Sequence, residues 1–198
     1  MPVTINGDGT ITGYTPPIAD GSITAAKLAS DAITSSALPS GSVIQVKSTS
    51  KTDTSIKGNV QSYDIPGLSV SITPTSALSQ IFIIFNLNAH SSGSFGGDVV
   101  RLIRDSTNIC IADTAGSRIS GSNAVVRHEN GDNFDYAGES IVNSFLDTPG
   151  DTNAHTYKVN LYDDTANNTV WINRDRPSSD GSGWRRSVST ITVMEIVG

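Results

Sequence analysis

Between Gly21 and Pro39, Ile23, Leu28, Ile33 and Leu38 stand five residues apart among Ser, Thr and Ala. No regular element has that period, since a helix brings a face round about every 3.6 residues and a strand every two. One anchor in five buries too little apolar surface to offset the entropy of ordering the backbone around it. The segment also repeats, because Ile23-Thr24 and Leu28 return as Ile33-Thr34 and Leu38, a pattern expected of units that pack against neighbours. The missing walls must come from identical chains wound together or from a docking surface on another protein. Ile23, Leu28, Ile33 and Leu38 are therefore the candidate assembly and docking residues.

The surrounding segment, residues 1–42, reads as an extended attachment arm. Asn6-Gly7-Asp8-Gly9, Gly13, Pro16-Pro17 and Asp20-Gly21 signal turns and extended chain, and Ser40-Gly41-Ser42 closes the arm. From Val43 the pattern changes to strand after strand. Leu68-Ser69-Val70-Ser71-Ile72-Thr73 alternates apolar and hydroxyl residues, which predicts a strand with one buried and one wet face. Ile81-Phe82-Ile83-Ile84-Phe85 is apolar on both faces, so it belongs in the middle of a sandwich or has its outer face covered by another subunit. Further strands are predicted at 43–46, 99–103, 108–111, 140–146, 156–162, 169–173 and 188–196, with polar turns at Thr73-Pro74, Ser92-Gly93-Ser94, Thr148-Pro149-Gly150-Asp151 and 163–168. With no helical period anywhere, residues 43–198 are expected to form an all-β domain, a β-sandwich or jelly roll. The beta-branched C-terminal run ending in Ile196-Val197-Gly198 places the last strand within a sheet.

Composition narrows the function. At 198 residues the chain holds one core plus an appendage. Thirteen basic against 19 acidic residues give a net charge of -6, which provides no overall attraction for nucleic acid or an anionic membrane. The local basic cluster, Arg174, Arg176, Arg185 and Arg186 around 177–183, reads as a loop rim or subunit contact rather than a phosphate track. No signal segment or membrane-length apolar run is visible, so synthesis in the cytoplasm without membrane insertion is expected. Only 16% of residues are charged while hydroxyl and amide side chains abound, a surface common among β-rich extracellular and virion proteins.

Each candidate chemistry has an ordinary competitor. Cys110, the single cysteine, lies in Asn108-Ile109-Cys110-Ile111-Ala112 and reads as a small buried hydrophobe. His90, His128 and His155 lack partners at metal-ligand spacing, and no metal or cofactor is expected. The oxygen-rich stretch 128–135 could wrap calcium but departs from the Asp-x-Asp-x-Asp-Gly pattern, and Asn130-Gly131 is a turn signal. Gly93-Ser94-Phe95-Gly96-Gly97 is not a nucleophile elbow. Asp163-Asp164, Glu139, Asp147 and Glu195 do not define the carboxylate pair a glycosidase requires, and they read as solvated acids. No catalytic residue is thus assigned. Trp184, in Asp180-Gly181-Ser182-Gly183-Trp184-Arg185-Arg186, is a candidate sugar platform in a loop, whereas Trp171 between Val170 and Ile172 is expected in the core. Arg118, Trp184 and Arg185 are the candidate surface-ligand contacts.

The arm residues Gly21-Ser22-Ile23-Thr24-Ala25-Ala26-Lys27-Leu28-Ala29-Ser30-Asp31-Ala32-Ile33-Thr34 resemble the GSIT-x-AKLA-x-DAVT repeats near the start of many bacteriophage tail-fibre and other virion proteins, especially of marine and cyanobacterial phages. Thr114-Ala115-Gly116-Ser117-Arg118, Ser144-Phe145-Leu146-Asp147-Thr148-Pro149, Thr156-Tyr157-Lys158-Val159 and the run 189–196 are similar to blocks at the ends of these fibres. The second arm repeat, Ser35-Ser36-Ala37-Leu38-Pro39, lacks the usual lysine. The resemblance implies a non-enzymatic, homotrimeric virion protein whose arm attaches to other virion proteins and whose β domain projects outward, with a host-surface glycan as a further partner. It carries no catalytic residue. The chain is shorter than long fibres, which leaves two virion roles open: a short tail fibre, or a capsid decoration protein or head fibre. A glycan-cleaving enzyme is the alternative of a different class.

Overall fold

The computed structural model describes residues 4–5, 7–8, 11–12, 23–24, 33–34, 37–92, 98–125, 138–175 and 182–198. The chain divides into two compact units, Met1–Leu38 and Pro39–Gly198. In the first, strands β1 (Thr4–Ile5) and β2 (Ile11–Thr12) form an antiparallel pair, Thr4 opposite Thr12, with Gly7 and Asp8 in the connecting turn. The second unit begins a few residues before Val43 because Ser40–Ser42 already pair with the C-terminus: Gly41 N donates to Val197 O at 2.8 Å and Val197 N to Ser42 O at 2.9 Å.

The second unit is all-β, with eleven strands described: β3 (Val43–Lys51), β4 (Ser55–Lys57), β5 (Ser62–Ile72), β6 (Gln80–Ser92), β7 (Val99–Arg104), β8 (Thr107–Ile109), β9 (Asn123–Ala124), β10 (Glu139–Asp147), β11 (His155–Tyr162), β12 (Thr169–Ile172) and β13 (Ser189–Ile196). They form two antiparallel sheets. The six-stranded sheet holds β3, β13, β6, β12, β4 and β10, and the five-stranded sheet holds β5, β11, β7, β8 and β9. The predicted strands all appear. The sequence pattern missed β4 and β9, which are too short to show a period, and the first half of β5.

Each sheet is organised by one strand that shares an edge between two partners. One edge of β6 pairs along β10, while its other edge pairs with β13 over residues 80–86 and with β12 over residues 89–92. Likewise β7 pairs with β11 on one side and divides the other between β8 and β9. The length of β6 explains its role: it reaches past the end of β13, and its remaining backbone groups are satisfied only because β12 arrives there. In β5, Pro66-Gly67 interrupts the alternation, and the register against β11 shifts between Lys158 and Asn160. Gly67 takes a φ of +75° at this bulge. A proline without an N–H is tolerated there because β5 lies at the edge of its sheet.

The core lies between the sheets. Ile81, Ile83, Phe85 and Leu87 of β6 alternate inward toward Leu68, Val70 and Ile72 of β5, Val100 and Leu102 of β7, and Tyr157, Val159 and Leu161 of β11, all buried. The period-two reading of Leu68–Ile72 is thus realised. Two polar ties cross this core. Tyr157 of β11 and Arg104 of β7 both donate to Oδ2 of Asp147 on β10, each at 2.7 Å. Burial and the adjacent Asp147 carboxylate push the Tyr157 phenol far above its ordinary value, so it stays a donor. Among the described residues no helix is long and apolar enough to cross a membrane.

Candidate functional site

The arginines flanking the loop between β12 and β13 converge. Arg174 and Arg186 form an antiparallel bridge in the segment that follows β12 and precedes β13, and Ser187 N donates to Asn173 O at 3.2 Å. Asp175, almost fully buried, accepts the Arg185 backbone N–H on Oδ2 at 2.8 Å, and Arg174 Nε donates to the Asp175 carbonyl at 3.1 Å. This stem fixes a cleft of about 240 Å³ lined by Asn88, Ala89, Gly138, Arg174, Asp175, Arg185, Arg186 and Ser187. Three arginines and one aspartate line it, on a chain whose net charge is negative. The volume lies below the range of about 300–1,000 Å³ for drug-sized ligands, so it suits one acidic group or ring. Guanidinium forks recognise carboxylate, sulfate or phosphate oxygens by paired hydrogen bonds.

Of the candidate surface contacts, Arg185 is exposed and lines this cleft. Trp184 beside it is half-buried and does not line it, and Arg118 is exposed in a turn of the segment joining β8 to β9, on the other sheet. Arg176 and 177–181 lie outside the described residues. The walls from Asn88, Ala89 and Gly138 had no signal in the sequence, because only the pairing of Glu139 with Ala89 brings the start of β10 to the end of β6.

A second surface is the outer face of the six-stranded sheet. Leu146, Phe82, Met194 and Val46 are successive cross-strand partners on β10, β6, β13 and β3. They make an apolar row in which Leu146 is 45% and Val46 54% exposed. Val142, 57% exposed, lies on the same face of β10. The doubly apolar run at 81–85 is explained: its odd residues fill the core and Phe82 and Ile84 face outward.

In the arm, Ile23 and Ile33 are 55% and 59% exposed and each sits at a bend, with irregular chain at Thr24 and Thr34. Leu38 is half-buried, and Leu28 lies outside the described residues.

Several other expectations change. Trp171 faces away from the core that Val170 and Ile172 enter; it is half-buried with its ring 5.8 Å from that of buried His90. Cys110 is partly rather than fully buried, at a φ of +54°, and packs against the core edge; desolvation raises its thiol pKa. The acids expected to be solvated divide: Asp164 is exposed, but Asp163, Asp147 and Glu195 are buried and hydrogen bonded. His155 is buried between Asp105, 2.9 Å from Nδ1, and Asp151, 3.1 Å from Nε2. The loops at 93–97 and 128–135 lie outside the described residues. Among the described residues no three His, Cys, Asp or Glu side chains converge as a metal site would require. No protein-family model matches the chain, and no curated protein matches it.

Proposed function

We propose that this chain is a non-enzymatic structural protein of a phage virion, a homotrimer of β-sandwich modules of jelly-roll type attached by its N-terminal arm. The observation that carries the reading is that each unit presents apolar side chains to solvent: Ile23 and Ile33 in the arm, and in the β unit the partly exposed row Leu146, Phe82, Met194 and Val46 on the outer sheet face. Apolar rows of this kind gain stability when a second surface removes them from water. The outer row serves contacts between modules, and the arm anchors attach the trimer to neighbouring virion proteins. The Arg-lined cleft then faces outward to take an acidic group of a host-surface glycan.

A short tail fibre and a capsid decoration protein place the arm differently. On a fibre, arms bundle along one axis; on a shell, they spread over a lattice. Electron microscopy of purified particles carrying a label on the chain tests the reading: label on tail tips or on the shell supports a virion role and chooses between the two, whereas particles without label contradict it. Release of reducing ends from host polysaccharide by the purified chain would instead favour the glycan-cleaving alternative.

A further inference from the structure

At the β4–β12 end of the sandwich a lysine is wholly buried. Lys57 Nζ lies 2.9 Å from Oδ1 of Asp98 and 3.7 Å from Oδ2 of Asp163, both buried, and donates to the backbone carbonyl of Asn168 at 3.1 Å. The ion pair accounts for the lysine, but not for Asn168. Its side chain is 1% exposed, yet among the described residues neither Oδ1 nor Nδ2 has a hydrogen-bond partner. A buried carboxamide left so is costly and uncommon. Here it belongs to the same residue that the amine already touches.

The two acids differ. Burial opposes ionisation of Asp163, but donation from Thr165 N and Oγ1 and from the backbone N–H groups of Asn167 and Asn168 overcomes it and holds the carboxyl below its ordinary value. Asp98 goes the other way, raised first by desolvation against the pull of Lys57, with the Asp163 charge adding to the rise. Asp98, with Oδ1 at 2.9 Å from Nζ against 3.7 Å for Asp163, whose oxygens already take four other donors, is therefore the group placed to exchange a proton with the lysine.

We propose that Lys57 and Asn168 become joined by an intramolecular isopeptide bond, with Asp98 relaying the protons. The ammonium passes one proton to Asp98, and the amine lone pair attacks Cγ of Asn168. One C–N bond forms to Nζ while the bond from Cγ to Nδ2 breaks. The second Nζ proton and the proton held by Asp98 go to the departing nitrogen, which leaves as ammonium, and Asp98 is again a carboxylate. No oxidant, reductant or cofactor is needed. The bond would tie edge strand β4 to the loop entering β12 across 111 residues of sequence, stabilising the module as a disulfide does by closing a long loop.

The intact mass of the purified full chain, measured after incubation at neutral pH, tests this. The expected mass is below that calculated from the sequence by one ammonia, with trypsin yielding a branched peptide that joins residues 52–101, uncut at Lys57, to residues 159–174. Asn168→Ala and Asp98→Ala should each retain the full mass. Asn168→Asp should lose one water instead and reach the same final mass as the cross-linked wild type, a positive result that does not depend on a disabled variant. A wild-type chain of full mass would overturn the proposal whatever the variants do. An ammonia loss mapped to Asn6-Gly7 or Asn130-Gly131, or a branch to Asp98 or Asp163 formed with loss of water, would overturn it equally. Cross-linking that persists in a folded Asp98→Ala chain would overturn the relay.

Discussion

Asn173 has no solvent exposure, a φ of +60° and a complete set of partners. Its Nδ2 donates to the carbonyls of Lys51 at 2.7 Å and Asp53 at 3.0 Å, its Oδ1 accepts from Ser189 Oγ at 2.6 Å, and its backbone N–H reaches Asn88 O at 2.9 Å. Ser189 Oγ in turn accepts from Asn88 N at 2.9 Å. This one residue holds β3, β6 and β13 together where β6 passes from β13 to β12. Asn173→Gly keeps the backbone conformation and deletes the network, and should cost about 2–4 kcal/mol in chemical denaturation; a loss below about 0.5 kcal/mol would show that the network is dispensable. Glu195 plays a similar part on β13: despite the desolvation that opposes it, donation from Thr75 N at 2.6 Å, Thr75 Oγ1 at 2.7 Å and Gln45 Nε2 at 3.1 Å holds its carboxyl below the ordinary value. Because the folded pKa is depressed, this stabilisation is present above the unfolded value of about 4 and is lost as pH falls through the folded value. Stability measured from pH 7 to pH 3 should fall below about pH 4, and Glu195→Gln should flatten that fall while lowering stability at pH 7 by about 1–3 kcal/mol. An unchanged acid slope in the variant would assign the effect elsewhere, for instance to Asp163. Asp98 has the opposite sign: its raised folded pKa contributes stability below its unfolded value that is lost as pH rises through the folded one. None of these roles could be read from the sequence, since buried and solvated acids look alike until their partners are placed.

At the scale of elements, alternation did what periodicity can do. It located β5 through Leu68–Ile72, because a half-buried strand writes its two environments into successive residues, whereas the run 81–85, apolar on both faces, announced β6 without showing which face enters the core. It could not find β9, two residues long, whose place depends on a neighbouring glycine. Gly121 lies where a Cβ would sit 2.6 Å from Val99 Cβ and 2.9 Å from the Val100 carbonyl oxygen, beside Ser122, whose N–H donates to that oxygen at 2.7 Å. Gly121→Ala should therefore push the segment off β7 and cost about 1–3 kcal/mol, with faster amide exchange at Ser122 and Leu102 as the local readout. Unchanged exchange there would show that the edge adapts. The arm motif was legible as a spacing and a sequence repeat, while the bend that Ile23 and Ile33 share is seen only in the structure. Ile23→Ser combined with Ile33→Ser should leave the β module folded while weakening particle attachment or assembly; unchanged incorporation would remove the arm anchors from the account.

For the whole molecule, the sequence limited the class to an all-β module with an appended arm, and the net charge of -6 argued against a basic binding surface in general. The local exception, the cleft of Arg174, Arg185 and Arg186, was visible as a cluster but not as a cleft, because its far wall comes from β6 and the approach to β10. Arg185→Ala should weaken binding of an acidic glycan about 10- to 100-fold, and added salt should weaken the wild type in the same direction; glycan-array binding indifferent to both would assign recognition to another surface. The claim on which the assembly account rests is that the row from Leu146 to Val46 is sheltered by other copies of the chain. Native mass spectrometry of the full-length protein measures this directly. The account predicts a species of three chains that falls to one chain in Phe82→Ser combined with Leu146→Ser while β structure persists; a wild-type protein found only as a single chain at micromolar concentration would contradict it.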